Sequence, residues 1–310
     1  MTAKETTAPA PQNAGPAPAR RLVGIALMMG ALVCFTAIDT SAKWLSRSLP
    51  ALEVTFFRYL VAFLLSAIVF NPVTARHAWT TRRPARQILR ALFLLGSTVF
   101  NFMALRHLQL AETMSIVFGV PFLVAVLSGP LLGESVGGMR WAAIAVGFLG
   151  VLLVTRPTPS HFDPAMGWAF AAAGCYAGYV IVTRMLSGLD SAASLLLLPA
   201  GAAVVMLAPF IPSIWVAPTG LLDWGLLTLT GISGATGHFL LILAYGRTPA
   251  SALSPFIYVQ IVWMTLSGWL VFGDIPGPWT IAGASVVVAS GLWLVQLERG
   301  RRNVAENPPG

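Results

Sequence analysis

Residues 34–46 read CFTAIDTSAKWLS, and residues 175–187 read CYAGYVIVTRMLS. Laid over one another at an offset of 141 residues, they place Cys34-Phe35 on Cys175-Tyr176, Lys43 on Arg184 and Leu45-Ser46 on Leu186-Ser187. The correspondence continues down the chain. At an offset of 139, Ala111 meets Ala250 and Ser128-Gly129 meets Ser267-Gly268. Gly133-Glu134 then meets Gly273-Asp274 at 140, and Gly150 meets Gly291 at 141. Matches kept in this order at nearly one offset indicate a duplicated unit.

The unit is built almost entirely of apolar residues. The 310-residue chain is 56% hydrophobic and 10% charged, where a soluble domain carries about 25% charged residues. So few polar groups cannot cover a soluble surface of this size. Cytosolic catalysis and nucleic-acid binding are therefore disfavoured, and Cys34 and Cys175, both within apolar runs, imply no disulfide framework. Stretches without Asp, Glu, Lys or Arg run 22–38, 59–75, 91–105, 113–133, 141–155, 164–183, 191–222, 224–246, 248–273 and 275–297. A hydrocarbon core about 30 Å thick takes roughly 20 mainly apolar residues per helix. The shortest runs end in Arg90, Arg106, Arg140 and Arg156, whose long side chains reach headgroups by snorkelling. Lipid leaves no open backbone group satisfied, and these runs are too apolar for alternating barrel strands. The predicted fold class is all-α: a polytopic membrane protein of ten transmembrane helices.

Ten runs in two copies give five helices per copy, and an odd number turns the second copy over. The repeats are 22–155 (helices 1–5) and 164–297 (helices 6–10), inverted about an axis in the membrane plane. With the N-terminus inside, fourteen Lys and Arg lie on the inner side and Lys43, Arg47, Arg106 and Arg156 on the outer side. That asymmetry predicts a multi-pass inner-membrane protein with both termini cytoplasmic. The net charge of +8 is a topology signal with some attraction to anionic lipid. Residues 1–21 are predicted to be a disordered cytoplasmic tail, and 298–310 a loose cytoplasmic one.

At these positions the chain resembles the EamA family of the drug/metabolite transporter superfamily. The resemblance spans nearly all of 22–297. In the first half it rests on Lys43, Pro50, Arg58, Ala104-Leu105, Pro121, Leu132-Gly133-Glu134 and Gly150. In the second half it rests on Arg184, Ala244-Tyr245, Pro249-Ala250, Phe272-Gly273-Asp274, Gly283 and Gly291. Gln260 stands where helix 9 of the family usually has proline, and Gly-Asp replaces the second Gly-Glu. The resemblance implies a ten-helix permease, with helices 1, 3, 4, 6, 8 and 9 around a central cavity and helices 5 and 10 peripheral. Within the family the chain looks most like YddG-type exporters of aromatic and other neutral amino acids.

A charge in the apolar core is costly and faces protein or a cavity. Arg58 lies about eight residues into helix 2, roughly 12 Å deep, and Asp39 near the outer end of helix 1 reaches a similar depth. The two are expected to pair, directly or through water, either as a structural ion pair or as a gate or substrate contact. His238 in helix 8 is either a proton-coupling group or a hydrogen-bonding partner of a neighbouring helix. Trp263, Tyr258 and Gln260 in helix 9, with Tyr176, Tyr179, Phe100 and Phe118, are candidates for the cavity wall or for packing. Pro121, Pro199, Pro209 and Pro255 are expected to interrupt helices, and Pro121, Pro199 and Pro255 are the hinge candidates. Gly174 and Gly178 suit close helix packing.

There is no G-x-x-x-x-G-K-[ST] loop, H-E-x-x-H pair or G-x-S-x-G elbow. No catalytic residue, cofactor or metal site is predicted, and the chain is not read as an enzyme. The expected function is a secondary or facilitative transporter working by alternating access. Too few cations lie in the spans for a sugar nucleotide's phosphates. The expected partner beyond membrane lipid is therefore a small neutral or zwitterionic metabolite, such as an aromatic or other neutral amino acid. Another small metabolite or drug, or a channel, is the alternative, and the oligomeric state stays open.

Overall fold

A chain in lipid must satisfy its own backbone, and every regular element among the described residues is helical. The computed structural model describes residues 18–132, 138–156, 163–186, 189–248 and 253–306. The first half holds α1 (Pro18–Leu45), α2 (Ala51–Val69), α3 (Pro84–Leu105), α4 (Leu110–Val117), α5 (Val120–Leu132) and α6 (Gly138–Thr155). The second half holds α7 (Met166–Leu186), α8 (Ala192–Leu207), α9 (Leu221–Arg247), α10 (Gln260–Ser267) and α11 (Pro278–Glu306). A 3₁₀ turn, Ser254–Val259, leads into α10, and a π turn, Gly268–Phe272, follows it.

Among the described residues, five helices are long and apolar enough to cross a membrane: Leu22–Leu45, Ala51–Val69, Pro84–Leu105, Met166–Leu186 and Leu221–Arg247. Shorter apolar helices cover Leu110–Val124, Trp141–Thr155, Ala193–Leu207, Phe256–Phe272 and Pro278–Trp293. The chain is an all-helical, polytopic membrane protein.

Two of the shorter segments are broken for a visible reason. Pro121 has no amide proton to donate, and the helix parts just before it, at Phe118 and Gly119, where Gly119 N–H bonds Ile116 O at 2.9 Å. Gln109 and Glu112 cap the start of α4 reciprocally, with Gln109 N–H donating to Glu112 Oε2 at 3.2 Å. In the ninth run, Pro255 falls in the 3₁₀ turn. The π turn ends on Gly273 at φ +71°, a left-handed conformation that suits glycine.

Other proline expectations need correction. Pro199 lies inside α8 without interrupting it, as does Pro130 inside α5. Pro209 does interrupt a helix, falling in the turn between α8 and the short helix Ile211–Ile214. The tails differ too. Helix α1 begins at Pro18 and α11 continues to Glu306, because 298–306 offers strong helix formers and no proline. The remaining tail residues, and Gly133-Glu134 with Pro249-Ala250, lie outside the described residues.

Packing follows the small residues, as it must where lipid removes a hydrophobic drive between helices. The most extensive helix pairings are α1 with α9, α3 with α7, and α6 with α11. A Cβ added at Gly237 of α9 would lie 3.0 Å from Cys34 Cβ of α1, and one at Gly231 would lie 2.3 Å from Val61 Cβ of α2. Gly178 of α7 takes the Phe93 ring of α3, whereas Gly174 meets nothing within 4 Å. Gly150 of α6 faces Gly283 of α11 backbone to backbone, and a Cβ at Gly283 would lie 2.5 Å from Gly150 O.

Polar contacts gather at the two ends of the bundle. At one end, Lys43 of α1 forms an ion pair with Asp274 and also donates to Leu108 O at 3.0 Å. Nearby, Glu53 of α2 accepts the Val216 amide at 3.1 Å. At the other end, Asp190 accepts from Thr81 Oγ1 at 2.6 Å and Arg82 N at 3.0 Å. One correction concerns Arg90. It does not reach outward; it is 3% exposed and donates to Thr183 Oγ1, Leu195 O and Tyr179 Oη at 2.8, 2.8 and 3.0 Å.

Candidate substrate cavity

The broken fourth and ninth runs bend around a cavity of about 560 Å³ in the middle of the bundle. Its wall takes residues from α1, α3, α4, α5, α7, α9 and the 3₁₀ turn into α10, with Arg58 of α2 and Gly291 of α11. These are the helices that the family resemblance implies, joined by single residues from helices 2 and 10.

Most of the wall is apolar, with a few polar groups placed within it, the usual make-up of a small-molecule site. Asp39 of α1 accepts a hydrogen bond from Asn101 Nδ2 of α3 at 3.0 Å. Arg58 donates through Nη1 to Thr98 Oγ1 at 2.7 Å, and Tyr59 Oη lies 2.8 Å from the same hydroxyl. The expected direct pairing of Asp39 with Arg58 is absent: among the described residues they form no ion pair. Each charge has a neutral partner on α3 instead, so both carry their charge to the cavity wall.

Aromatic rings complete the chamber. Phe118 meets Tyr258 edge-on at 5.2 Å between centroids, and Tyr176 stacks on Tyr179 at 5.5 Å. His238 packs against Phe35 at 5.2 Å. Gln260 is on the wall though only 4% exposed, and Pro121 is beside it at the α5 start. Tyr258 packs over Gly291, where a side chain would collide with its hydroxyl.

Three of the predicted wall residues lie elsewhere. Tyr179 lines an adjoining crevice, where Arg90 donates to its hydroxyl. Phe100 stacks on Trp168 at 5.7 Å, away from the cavity. Trp263 lines a separate groove with Thr36, Thr40 and Trp44. Pro199 is not on the wall. Sequence reasoning missed Asn101, Thr98, Thr113 and Tyr245. Counting charges ignores amides and hydroxyls, and of the four only Tyr245 is marked, as part of the Ala244-Tyr245 resemblance.

Among the described residues, no three His, Cys, Asp or Glu side chains come together as metal ligands would.

The EamA-like transporter family matches the sequence twice, over residues 22–156 and again over 163–296. The chain belongs to that family. An S-adenosylmethionine uptake transporter of Rickettsia bellii is 29% identical over 281 residues, covering 89% of this chain and 94% of that protein. A riboflavin transporter of Rhizobium johnstonii is 27% identical, covering 92% and 94%. A pseudopaline exporter of Pseudomonas aeruginosa is 26% identical, covering 89% and 97%. A solved crystal structure shares the fold, with a TM-score of 0.61 at 18% identity, over 87% of this chain and 98% of its own. As an EamA-like protein, the chain is a small-metabolite transporter of the membrane.

Proposed function

We propose that this EamA-like protein is a secondary or facilitative carrier that moves small neutral or zwitterionic metabolites across the inner membrane by alternating access. Aromatic and other neutral amino acids are the leading substrates. The observation that carries the reading is the chamber itself, where the acid Asp39, the guanidinium groups of Arg58 and Arg184 and a ring-lined wall converge from both halves of the chain.

The architecture behind it is ten spans in two inverted five-helix repeats, 22–155 and 164–297, with both termini cytoplasmic. Support comes from the doubled family match and from helix packing. Exchanging the halves maps the pairing of α1 with α9 onto that of α7 with α3. In this frame Lys43 and Asp274 join the outer ends of the two halves, a contact that outward opening has to break. Pro121 and Pro255, at the broken runs, are the hinges of the movement.

The names of the relatives widen the panel of solutes worth testing. S-adenosylmethionine combines a heterocycle with an amino-acid head, and riboflavin offers a large flat ring system. Both suit an aromatic chamber of this size. The test is counterflow into proteoliposomes preloaded with phenylalanine, tryptophan, methionine, leucine, S-adenosylmethionine or riboflavin. The account predicts saturable, preload-dependent accumulation for the aromatic amino acids. Linear flux without preload dependence would indicate a channel, and no flux with any solute would refute the substrate reading.

A further inference from the structure

The cavity's cations exceed its anions in an informative way. Arg58 uses one donor, Nη1, on Thr98, and no hydrogen bond leaves its Nε or Nη2 among the described residues. Its guanidinium is flanked by the rings of Tyr59 at 5.2 Å and Phe102 at 5.7 Å, which hold the plane in place. The Nε–Nη2 edge is the side of a guanidinium that takes a carboxylate with two parallel bonds. That edge has room. A Cβ at Gly234 would stand 3.8 Å from Arg58 Nε, and glycine leaves the space open.

The space belongs to a narrow crevice of about 40 Å³ off the main cavity, walled by Arg58, Gly234, His238, Tyr179 and Ser66. It has room for a carboxylate, though not for a ring. Behind it, Arg90 bonds Tyr179 Oη at 3.0 Å and faces the same ring at 4.8 Å. Half-buried Arg58 thus borders the crevice and buried Arg90 stands behind its Tyr179 wall, with no ion-paired acid on either among the described residues. A buried charge without a counter-ion is costly, and a bound anion would relieve that cost.

We propose that this crevice is a carboxylate subsite. The Nε–Nη2 edge of Arg58 anchors the substrate's carboxylate, Arg90 positions the Tyr179 wall, and the rest of the solute occupies the main cavity. This rests on the carrier reading and sharpens it: a free carboxylate is required, so amides and amines of the same solutes are poor ligands.

Two readouts test it on the purified full-length protein. In the first, thermal melting is followed with phenylacetate against phenylacetamide, in wild type and in Arg58→Gln and Arg58→Lys. In the second, phenylalanine counterflow is competed with phenylalaninamide, 2-phenylethylamine and 3-phenylpropionate. Stabilisation by phenylacetate alone, lost in Arg58→Gln and partly kept in Arg58→Lys, is the expected result. Amide and amine should compete at least about 30-fold more weakly than phenylalanine. If phenylalanine is not transported while phenylacetate still stabilises through Arg58, the amino-acid reading falls and the subsite stands. If amide and acid compete and stabilise equally, or if Arg58→Gln keeps the preference, the subsite is overturned while the carrier stands.

Discussion

A Gly283→Leu protein melts far below the wild type or fails to accumulate folded in the membrane. The cause is backbone against backbone. A Cβ at this position would lie 2.5 Å from Gly150 O and 2.8 Å from Val154 N, so no rotamer change on α6 can accommodate it. The two helices must separate, and in lipid their contact is held by close packing rather than by a hydrophobic drive. Overpacking that forces backbone apart costs about 3–5 kcal/mol, a large share of the stability of an ordinary domain. Gly225→Leu on α9 is the matched control, because nothing lies within 4 Å of an added Cβ there. Exchanging a helical glycine for leucine gains up to about 1 kcal/mol in propensity, so the control holds or slightly raises its melting temperature. Detergent-solubilised melting curves of the two variants decide the matter. Equal melting would mean that α6 and α11 do not cross where the structure places them.

The second large effect is on transport. Asp39→Asn is expected to leave the fold intact, because an amide oxygen can still accept from Asn101 Nδ2 as the carboxylate does at 3.0 Å. What disappears is the acid of the cavity wall, the group available to an ammonium. A hydrogen bond to a charged group contributes about 1.5–3 kcal/mol, so apparent affinity for amino acids should fall roughly 10- to 100-fold. The half-saturating concentration in counterflow reads this directly. Binding of phenylacetate, which has no ammonium, should change little. An unchanged half-saturation for phenylalanine would remove Asp39 from substrate contact.

How much of this was legible in the sequence depends on what each residue type reports. Charge-free runs report lipid, and each apolar helix among the described residues overlaps one of them; the offset of Cys34 from Cys175 reported the duplication. The same ruler misread Arg90. A cation at a run's edge looks interfacial, and only the packing of α7 and α8 brings Thr183 and Leu195 O to its guanidinium. Asp39 and Arg58 were rightly singled out as costly charges. Their partners were not, because Asn101 and Thr98 are uncharged residues within an ordinary apolar run. Trp263 and Phe100 show the limit for aromatic residues, since facing a cavity or packing aside depends on a helix's rotation. One contact was latent in the repeat: Lys43 aligns with Arg184 and Glu134 with Asp274, so a basic helix end recurs opposite an acidic one. The ion pair of Lys43 with Asp274 realises that across the halves.

Sided labelling of the chamber tests the whole account most directly. With Cys34 and Cys175 replaced by alanine, a single cysteine at Ser97 on the cavity wall is probed with a membrane-impermeant thiol reagent from each face in turn. The account predicts reaction from both faces, protection from either face by a saturating transported substrate, and faster reaction from the outer face once Asp274→Asn loosens its tie to Lys43. Reaction from one face only, indifferent to substrate and to that substitution, would contradict it.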